Sequence, residues 1–404
     1  MVGNKKIISL AIFTNEPVPI GLAATNRFFS YAKGLVESGN HVIIYSSKPG
    51  LNSAKNETSG KFEGVEYNVL SNVKSWNVNK FLKLFLFFKA HLLFIGCLIK
   101  EKKKDHKVVV FLVTNKAFSI IFVRIITWFL RLQLIQEKSE FPFQYMSSNW
   151  IKRVVFANIY SFIIYKLFDG MVVMTEPLKA FFEKKTRKSV PVLLFPLTIE
   201  AKRFIGSEPS DKFKYRFIGY CGYMGGNKDG LSDLIESFYL VNKKVKGVKL
   251  VLVGDASETE TAGLKNLVKE KGLSDSVIFT GRMNRDEIPS FLKSAEILAL
   301  ARPDNIQALG GFPTKLGEYL ASGRPVVVTK VGDIPKYIIN NEHALLCEPG
   351  NTDDIASKIE SILLSPDSYK VMAKNGQQFA FNNFDYYIKS HDLESFIYNN
   401  FYAK

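Results

Sequence analysis

Cysteine is scarce and unpatterned in this chain: among 404 residues only Cys97, Cys221 and Cys347 occur, far apart and odd in number. They form neither a zinc spacing nor a disulfide framework, which suits a reducing compartment. Five histidines are scattered, so no cleft of paired acid and imidazole groups is indicated. There is no D-x-D, hence no evident carboxylate clamp for Mg²⁺. A G-x-G-x-x-G turn after the first strand is also absent, and the later GYMGGN at 222–227 has the wrong spacing, which speaks against a dinucleotide oxidoreductase. Basic helices, aromatic RNA-binding signatures and internal repeats are lacking, so a nucleic-acid partner is not expected. The N-terminus shows no small-residue cleavage site; Lys5 and Lys6 lead into an apolar run, Ile7 to Phe13, that reads as a buried strand.

What the chain does have is positive charge, and it is unevenly placed. Residues 1–200 carry 28 Lys+Arg against 13 Asp+Glu, whereas residues 201–404 carry 26 against 25, so +15 of the formal +16 lies in the first half. A solvated Lys-rich surface or a polyanionic partner would account for it. Residues 81–99, FLKLFLFFKAHLLFIGCLI, approach membrane-spanning length, but Lys83, Lys89 and His91 interrupt them. Two readings are open: a core helix, or a helix dipping into a membrane interface with Lys100 and Lys102–Lys104 meeting anionic headgroups. Trp128, Phe129, Trp150, Lys152 and Arg153 would extend such a surface, and ordinary packing would account for them equally well.

Short apolar β-branched runs alternate with helical patterns along the chain. Strands are expected at 7–13, 41–46, 107–113, 132–136, 170–174 and 191–194, then at 216–221, 248–253, 276–279, 296–300, 325–329 and 344–346. The βαβα order, occurring twice, predicts an α/β chain of two doubly wound, Rossmann-like domains, with ligand sites outside the carboxyl ends of their strands. A break rich in Pro, Gly and charge follows residue 195, giving expected domains at 1–198 and 199–380 and a terminal helical segment at 381–404.

Two stretches carry chemistry. In GYMGGNKDG, Gly222, Gly225 and Gly226 permit a tight strand-to-helix loop whose N–H groups could hold a phosphate, and Lys228 adds a charge. In LGGFPTKLGEYLASGRPVVV at 309–328, Gly310, Gly311 and Pro313 precede a helix starting near Thr314. Lys315 falls in its first turn, where the helix dipole disfavours a cation unless an anion shares the site. Glu318 follows one turn later, able to accept from two vicinal hydroxyls such as those of a ribose. A plain surface Lys315–Glu318 pair is the other reading.

With these residues the chain resembles the family 4 glycosyltransferases, retaining enzymes of GT-B fold, over nearly its whole length. The likeness implies two domains facing across a cleft and a C-terminal helix returning to the first. GGFPTKLGEYLASGRPVV matches the family's C-terminal pattern, with Glu318 as its second Glu. Gly310 stands where the first Glu is usual, leaving the backbone of Gly310, Gly311 and Phe312, or Asp304 or Gln307, to take its place beside the transferred sugar. Lys228 fits the diphosphate-binding Lys, Tyr223 stands in the usual Arg position, and Lys315 or Arg302 would restore that charge. Thr280 to Arg282 would run past the nucleotide base. In the first domain, Gly21 would let the backbone approach the donor, and Arg27 would lie at the cleft floor toward the acceptor or form a structural ion pair. EKSEFP at 137–142 resembles an acidic-Pro loop with Glu140 facing sugar or acceptor. No histidine role carries over.

The resemblance therefore implies a retaining transferase with no enzyme nucleophile, in which Lys228, Lys315 and a helix N-terminus stabilise the leaving diphosphate. It implies a nucleotide-diphosphate sugar donor, UDP favoured over GDP as the commoner donor base, and no resident cofactor or metal. The expected acceptor is a glycan, carried on a polyprenyl diphosphate, at the anionic inner face of the cytoplasmic membrane. A nucleotide-sugar epimerase or an inactive nucleotide-binding module is the alternative.

Overall fold

The computed structural model describes residues 7–51, 57–104, 107–142, 150, 157–226 and 228–403; Lys5, Lys6, Lys152 and Arg153 lie outside them. The chain divides into two units, Met1–Thr198 with Tyr386–Lys404, and Ile199–Asp385.

The first unit is built on an eight-stranded sheet in the order β3-β4-β2-β1-β5-β6-β7-β8. Its strands are β1 (Ser9–Val18), β2 (His41–Pro49), β3 (Ser59–Phe62), β4 (Val65–Val69), β5 (Val109–Val113), β6 (Gln133–Lys138), β7 (Gly170–Val173) and β8 (Val192–Leu194). All pairings are parallel except β3 with β4. That hairpin was not expected from the sequence. It closes through Glu63 and Gly64, both at positive φ (48° and 84°), the backbone of a two-residue turn matched to strand twist. The continuous apolar runs of β1 and β5 are buried on both faces, as a covered parallel sheet requires.

Helices α1 (Ala23–Glu37), α2 (Lys80–Lys104) and α3 (Ala117–Phe129) flank this sheet. Along α2, Leu86, Ala90, Phe94 and Leu98 recur at i, i+4 spacing and are buried. The opposite face is also apolar but exposed: Phe81, Leu84, Phe85, Phe88 and Leu92 all meet solvent. By length and composition alone the helix could cross a bilayer. Its buried stripe makes it a packed helix of the first unit, as the core-helix reading of 81–99 expects, while its other face stays exposed. Glu101 anchors its end, accepting from His41 Nε2 and Lys104 Nζ at 2.9 Å each. Lys102 donates to the Leu130 carbonyl at 2.7 Å. Two of the lysines expected to meet headgroups are thus engaged within the fold, whereas Lys100 and Lys103 are exposed.

The second unit carries a fully parallel six-stranded sheet ordered β11-β10-β9-β12-β13-β14. Its strands are β9 (Arg216–Cys221), β10 (Val248–Val253), β11 (Val277–Gly281), β12 (Ile297–Leu300), β13 (Val326–Thr329) and β14 (Leu345–Cys347). Helices α4 (Leu231–Lys244), α5 (Glu258–Glu270) and α6 (Thr314–Ala321) position its loops. The last helix, α7 (Tyr386–Ile397), belongs to the first unit and packs on α1 so closely that a Cβ on Gly34 would lie 2.4 Å from Ser390 Oγ. Leu393, Ile397 and Tyr402 complete the core around β1, and the Tyr402 hydroxyl accepts from Ser9 N at 2.7 Å.

Candidate functional site

In the second sheet the winding reverses between β9 and β12, which pair at Ile218–Ile297 and Gly219–Leu298. Loops leaving two such strands diverge, and a ligand crevice opens at their carboxyl ends. Here the loop after β9 spans the glycine stretch, and the chain after β12 carries Arg302 and then Gly310–Thr314. Two glycines permit the closeness. A Cβ on Gly230 (φ +65°) would lie 1.7 Å from the Ala301 carbonyl oxygen, and one on Gly222 would lie 1.7 Å from Lys315 Cε. Neither α4, entered at Gly230, nor α6, entered at Pro313, has a side-chain cap. Both helix N-termini begin at this end of the sheet, where uncapped N–H groups favour an anion.

The charge on Lys315 has a partner that the sequence reading missed. Lys315 Nζ lies 2.7 Å from Asp229 Oδ2, which also accepts from the Tyr220 hydroxyl at 2.8 Å, with Arg302 Nε 4.0 Å from Oδ1. Burial opposes ionisation of Asp229, but Lys315, Arg302 and the Tyr220 hydroxyl outweigh it and hold the carboxyl below its ordinary range. The anion inferred from a cation in the first turn of α6 is therefore present within the protein itself. Arg302 is buried and donates through Nη1 to the Gly311 carbonyl at 3.0 Å, tying the glycine turn to the same cluster.

Glu318 is half-buried, with Oε1 3.4 Å from Arg203 Nη1. Burial raises its carboxyl above the ordinary range, against the charges of Arg203, Arg285 and Lys315. The Lys315–Glu318 surface pair is not formed: Lys315 turns to Asp229 and Glu318 to Arg203. Arg203 gave no local signal, being 115 residues away in sequence. Lys228 lines a cavity of about 420 Å³ with Tyr223, Gly225, Gly226 and Glu260, and Lys315 is not among its lining residues. Glu260, unforeseen as a site residue, accepts from Gly226 N at 2.7 Å and the Tyr223 hydroxyl at 3.2 Å while completing a capping box with Ser257.

Other expected positions fall differently. Phe312 is buried, its ring 5.2 Å from that of Tyr337 and 5.8 Å from that of Phe384, so its side chain packs the core. Gly310 ends a short helix, and the Gly311 amide donates to the Gln307 carbonyl at 3.0 Å, so that N–H is already committed. Pro313 and Thr314 open α6. Arg282 is exposed and paired with Asp255 at 2.6 Å. Among the described residues no group of three or more His, Cys, Asp or Glu is placed to hold a metal ion.

The first sheet also reverses its winding, between β1 and β5. A cavity of about 290 Å³ lies at their carboxyl ends, lined by Asn15, Arg27, Lys48, Lys116, Lys138 and Glu140 among others. Gly21 sits just before α1, where a Cβ would lie 2.0 Å from Thr25 Oγ1 and 2.8 Å from the Pro17 carbonyl oxygen. Glu140 is exposed at the rim. Arg27 is buried: it pairs with Glu137 and donates to the Pro196 and, at 2.6 Å, Phe195 carbonyls. The ion-pair reading of Arg27 therefore describes its geometry, and the guanidinium fastens the cavity wall. Lys138 beside it is buried, which pushes its ammonium down to about 7 against the pull of Glu137.

Residues 200–379 match the family model of Glycosyl transferases group 1. The stretch covers nearly all of the second unit, including every residue of the Asp229 cluster. A GDP-mannose-dependent alpha-(1-6)-phosphatidylinositol monomannoside mannosyltransferase of Mycobacterium tuberculosis is 27% identical over 155 residues, covering 37% of this chain and 39% of that relative. The capsular polysaccharide biosynthesis glycosyltransferase CapM of Staphylococcus aureus is 28% identical over 194 residues, covering 46% of each. The chain thus aligns with less than half the length of these relatives. In structure it is similar to Anabaena HepE in complex with UDP and glucose, with a TM-score of 0.71, 14% identity, and 97% of this chain and 100% of that one covered. The fold is GT-B.

Proposed function

We propose that this protein is a retaining glycosyltransferase of the family 4 kind, transferring a sugar from a nucleotide-diphosphate sugar to a lipid-linked glycan in surface-polysaccharide assembly. The observation that carries this reading is the convergence of the uncapped starts of α4 and α6, Lys315 and Glu318 at the β9–β12 reversal, within the stretch that matches the group 1 transferases.

In this reading Glu318 accepts the ribose hydroxyls. The helix starts, with Lys228 and Lys315, draw negative charge from the leaving diphosphate, and Arg282 flanks the base. Lys315 shares its charge with Asp229, so it acts as a positioned donor more than as a full counter-ion. Gly222 and Tyr223 shape the diphosphate loop, while the turn at Gly310–Pro313 sets the sugar end. In the first unit Gly21 admits the donor and Glu140 faces sugar or acceptor. Arg27 shapes the acceptor cavity from its wall. Transfer needs no metal in this scheme: full activity in EDTA is expected, and restoration of lost activity by Mn²⁺ would refute it. UDP is the favoured base, supported by the UDP bound to HepE, although the mycobacterial relative is named for GDP-mannose. CapM, named for capsular polysaccharide, supports the pathway class. The exposed apolar face of α2 and the basic first half support a peripheral position on the inner face of the cytoplasmic membrane.

The test is thermal stabilisation by UDP, GDP and NAD without metal, in the wild type and in Glu318→Ala. A ligand at about 100 times its Kd adds roughly 2.7 kcal/mol. A shift with one nucleoside diphosphate, lost in Glu318→Ala, is expected and names the base; no shift with either would overturn the reading.

A further inference from the structure

A cavity of about 620 Å³ in the first unit has two chemically distinct walls. One is cationic: Lys80 and Lys83 from the first turn of α2, Lys48 from the end of β2, and Lys116 just before α3. The other is apolar, made of Trp76, Leu84, Phe87, Phe88 and Phe118. The Phe88 and Phe118 rings meet edge to face at 5.0 Å, and Lys116 Nζ stands 4.5 Å from the centre of the Phe87 ring. No acidic residue occurs among its described lining residues. Four ammonium groups gathered without a lining carboxylate favour an anion of more than one charge. Burial, and after it the neighbouring Lys48 charge, push the Lys116 ammonium below its ordinary range against the pull of Glu16.

Beyond the cavity, the apolar wall continues along α2 through exposed Phe81, Phe85 and Leu92. Toward the sheet, Lys48 and Lys116 also line the 290 Å³ cavity that holds Glu140. The two cavities are braced together by buried polar contacts: His91 of α2 meets Ser119 Oγ at 2.9 Å, and Ser119 donates to Asn15 at 3.0 Å. A single molecule with an apolar chain, a doubly charged head and a polar sugar would meet these three surfaces in that order.

We infer that the 620 Å³ cavity binds the lipid diphosphate of the acceptor. Its diphosphate lies among Lys48, Lys80, Lys83 and Lys116, its chain follows Leu84 and Phe88 along α2, and its first sugar enters the neighbouring cavity. This rests on the glycosyltransferase reading for its purpose, but its binding chemistry can be tested separately.

The experiment measures binding of farnesyl diphosphate, inorganic pyrophosphate and farnesol to the full chain by calorimetry. Phosphatidylglycerol vesicles are run alongside, with the UDP and GDP thermal shifts as a control. Farnesyl diphosphate is expected to bind at least tenfold more tightly than either fragment. Lys80→Ser/Lys83→Ser should weaken it at least tenfold and leave the nucleotide shift unchanged, and Phe88→Ser should weaken it while sparing pyrophosphate. Farnesyl diphosphate no tighter than pyrophosphate would overturn the inference. So would indifference to the lysine substitutions, or lysine-dependent binding of phosphatidylglycerol vesicles without binding of farnesyl diphosphate, which would mark a headgroup contact instead. A nucleotide shift without farnesyl diphosphate binding defeats this inference alone; the converse defeats the donor reading alone.

Discussion

The two units share a way of making a crevice, a reversal of winding in a parallel sheet, and differ in how they equip it. In the second, the equipment is internal. Asp229, Lys315, Arg302 and Tyr220 form one connected cluster, and Gly222 and Gly230 permit the close approaches around it. In the first, much of the equipment is on the surface: an apolar helix face in solvent and a cavity whose described lining holds four lysines and no acid. The lesson is that a crevice tied into a core constrains sequence and so leaves a motif. A surface recognised by charge and apolarity tolerates many sequences and leaves mainly composition.

The comparison can be broken most severely at Asp229. Asp229→Asn keeps the shape but leaves Lys315 and buried Arg302 without their carboxylate, and a loss of about 3 kcal/mol is expected by chemical denaturation. A near-neutral result would show that the cluster is not a structural unit. Lys138 sharpens the contrast from the other side, as a buried charge within the first unit. Its ammonium titrates near 7 when folded and near about 10.4 when unfolded. Between these values the unfolded chain binds the extra proton, so this group makes stability rise with pH. Lys138→Met should therefore raise the Tm by roughly 3 °C at pH 6.5, with the gain shrinking toward pH 10. A pH-independent gain would point to packing instead of charge. The smallest effect on stability is expected from Phe85→Ser/Leu92→Ser on the exposed face of α2, within about 0.5 kcal/mol. Cosedimentation with anionic vesicles should nonetheless fall severalfold. A large stability loss would mean that this face is packed, and the contrast between the units would fail.

What could be read from the sequence follows the same division. The runs FLV at 111–113 and VVV at 326–328 announce strands buried on both faces, and they are. The β3–β4 hairpin escaped notice because its turn uses Glu63, a residue with no special preference for positive φ. Periodicity identified α2 as apolar but could not separate its buried stripe from its exposed one, since both consist of Leu and Phe. Asp229 was visible next to Lys228, yet its partner Lys315 lies 86 positions away, and only the β9–β12 adjacency joins them. Phe312 and the Gly311 amide looked available in a loop, whereas tertiary packing and a single helical turn had already committed them.

The position of α7 has a consequence for the order of events during synthesis. Residues 199–385 are contiguous, so the second unit can fold as soon as it leaves the ribosome. The first unit emerges earlier but lacks Leu393, Ile397 and Tyr402, which close its core and hold Ser9. The unit begun first is thus completed only after the second has been made, and its apolar interior must wait, partly open, for Leu393, Ile397 and Tyr402 to arrive.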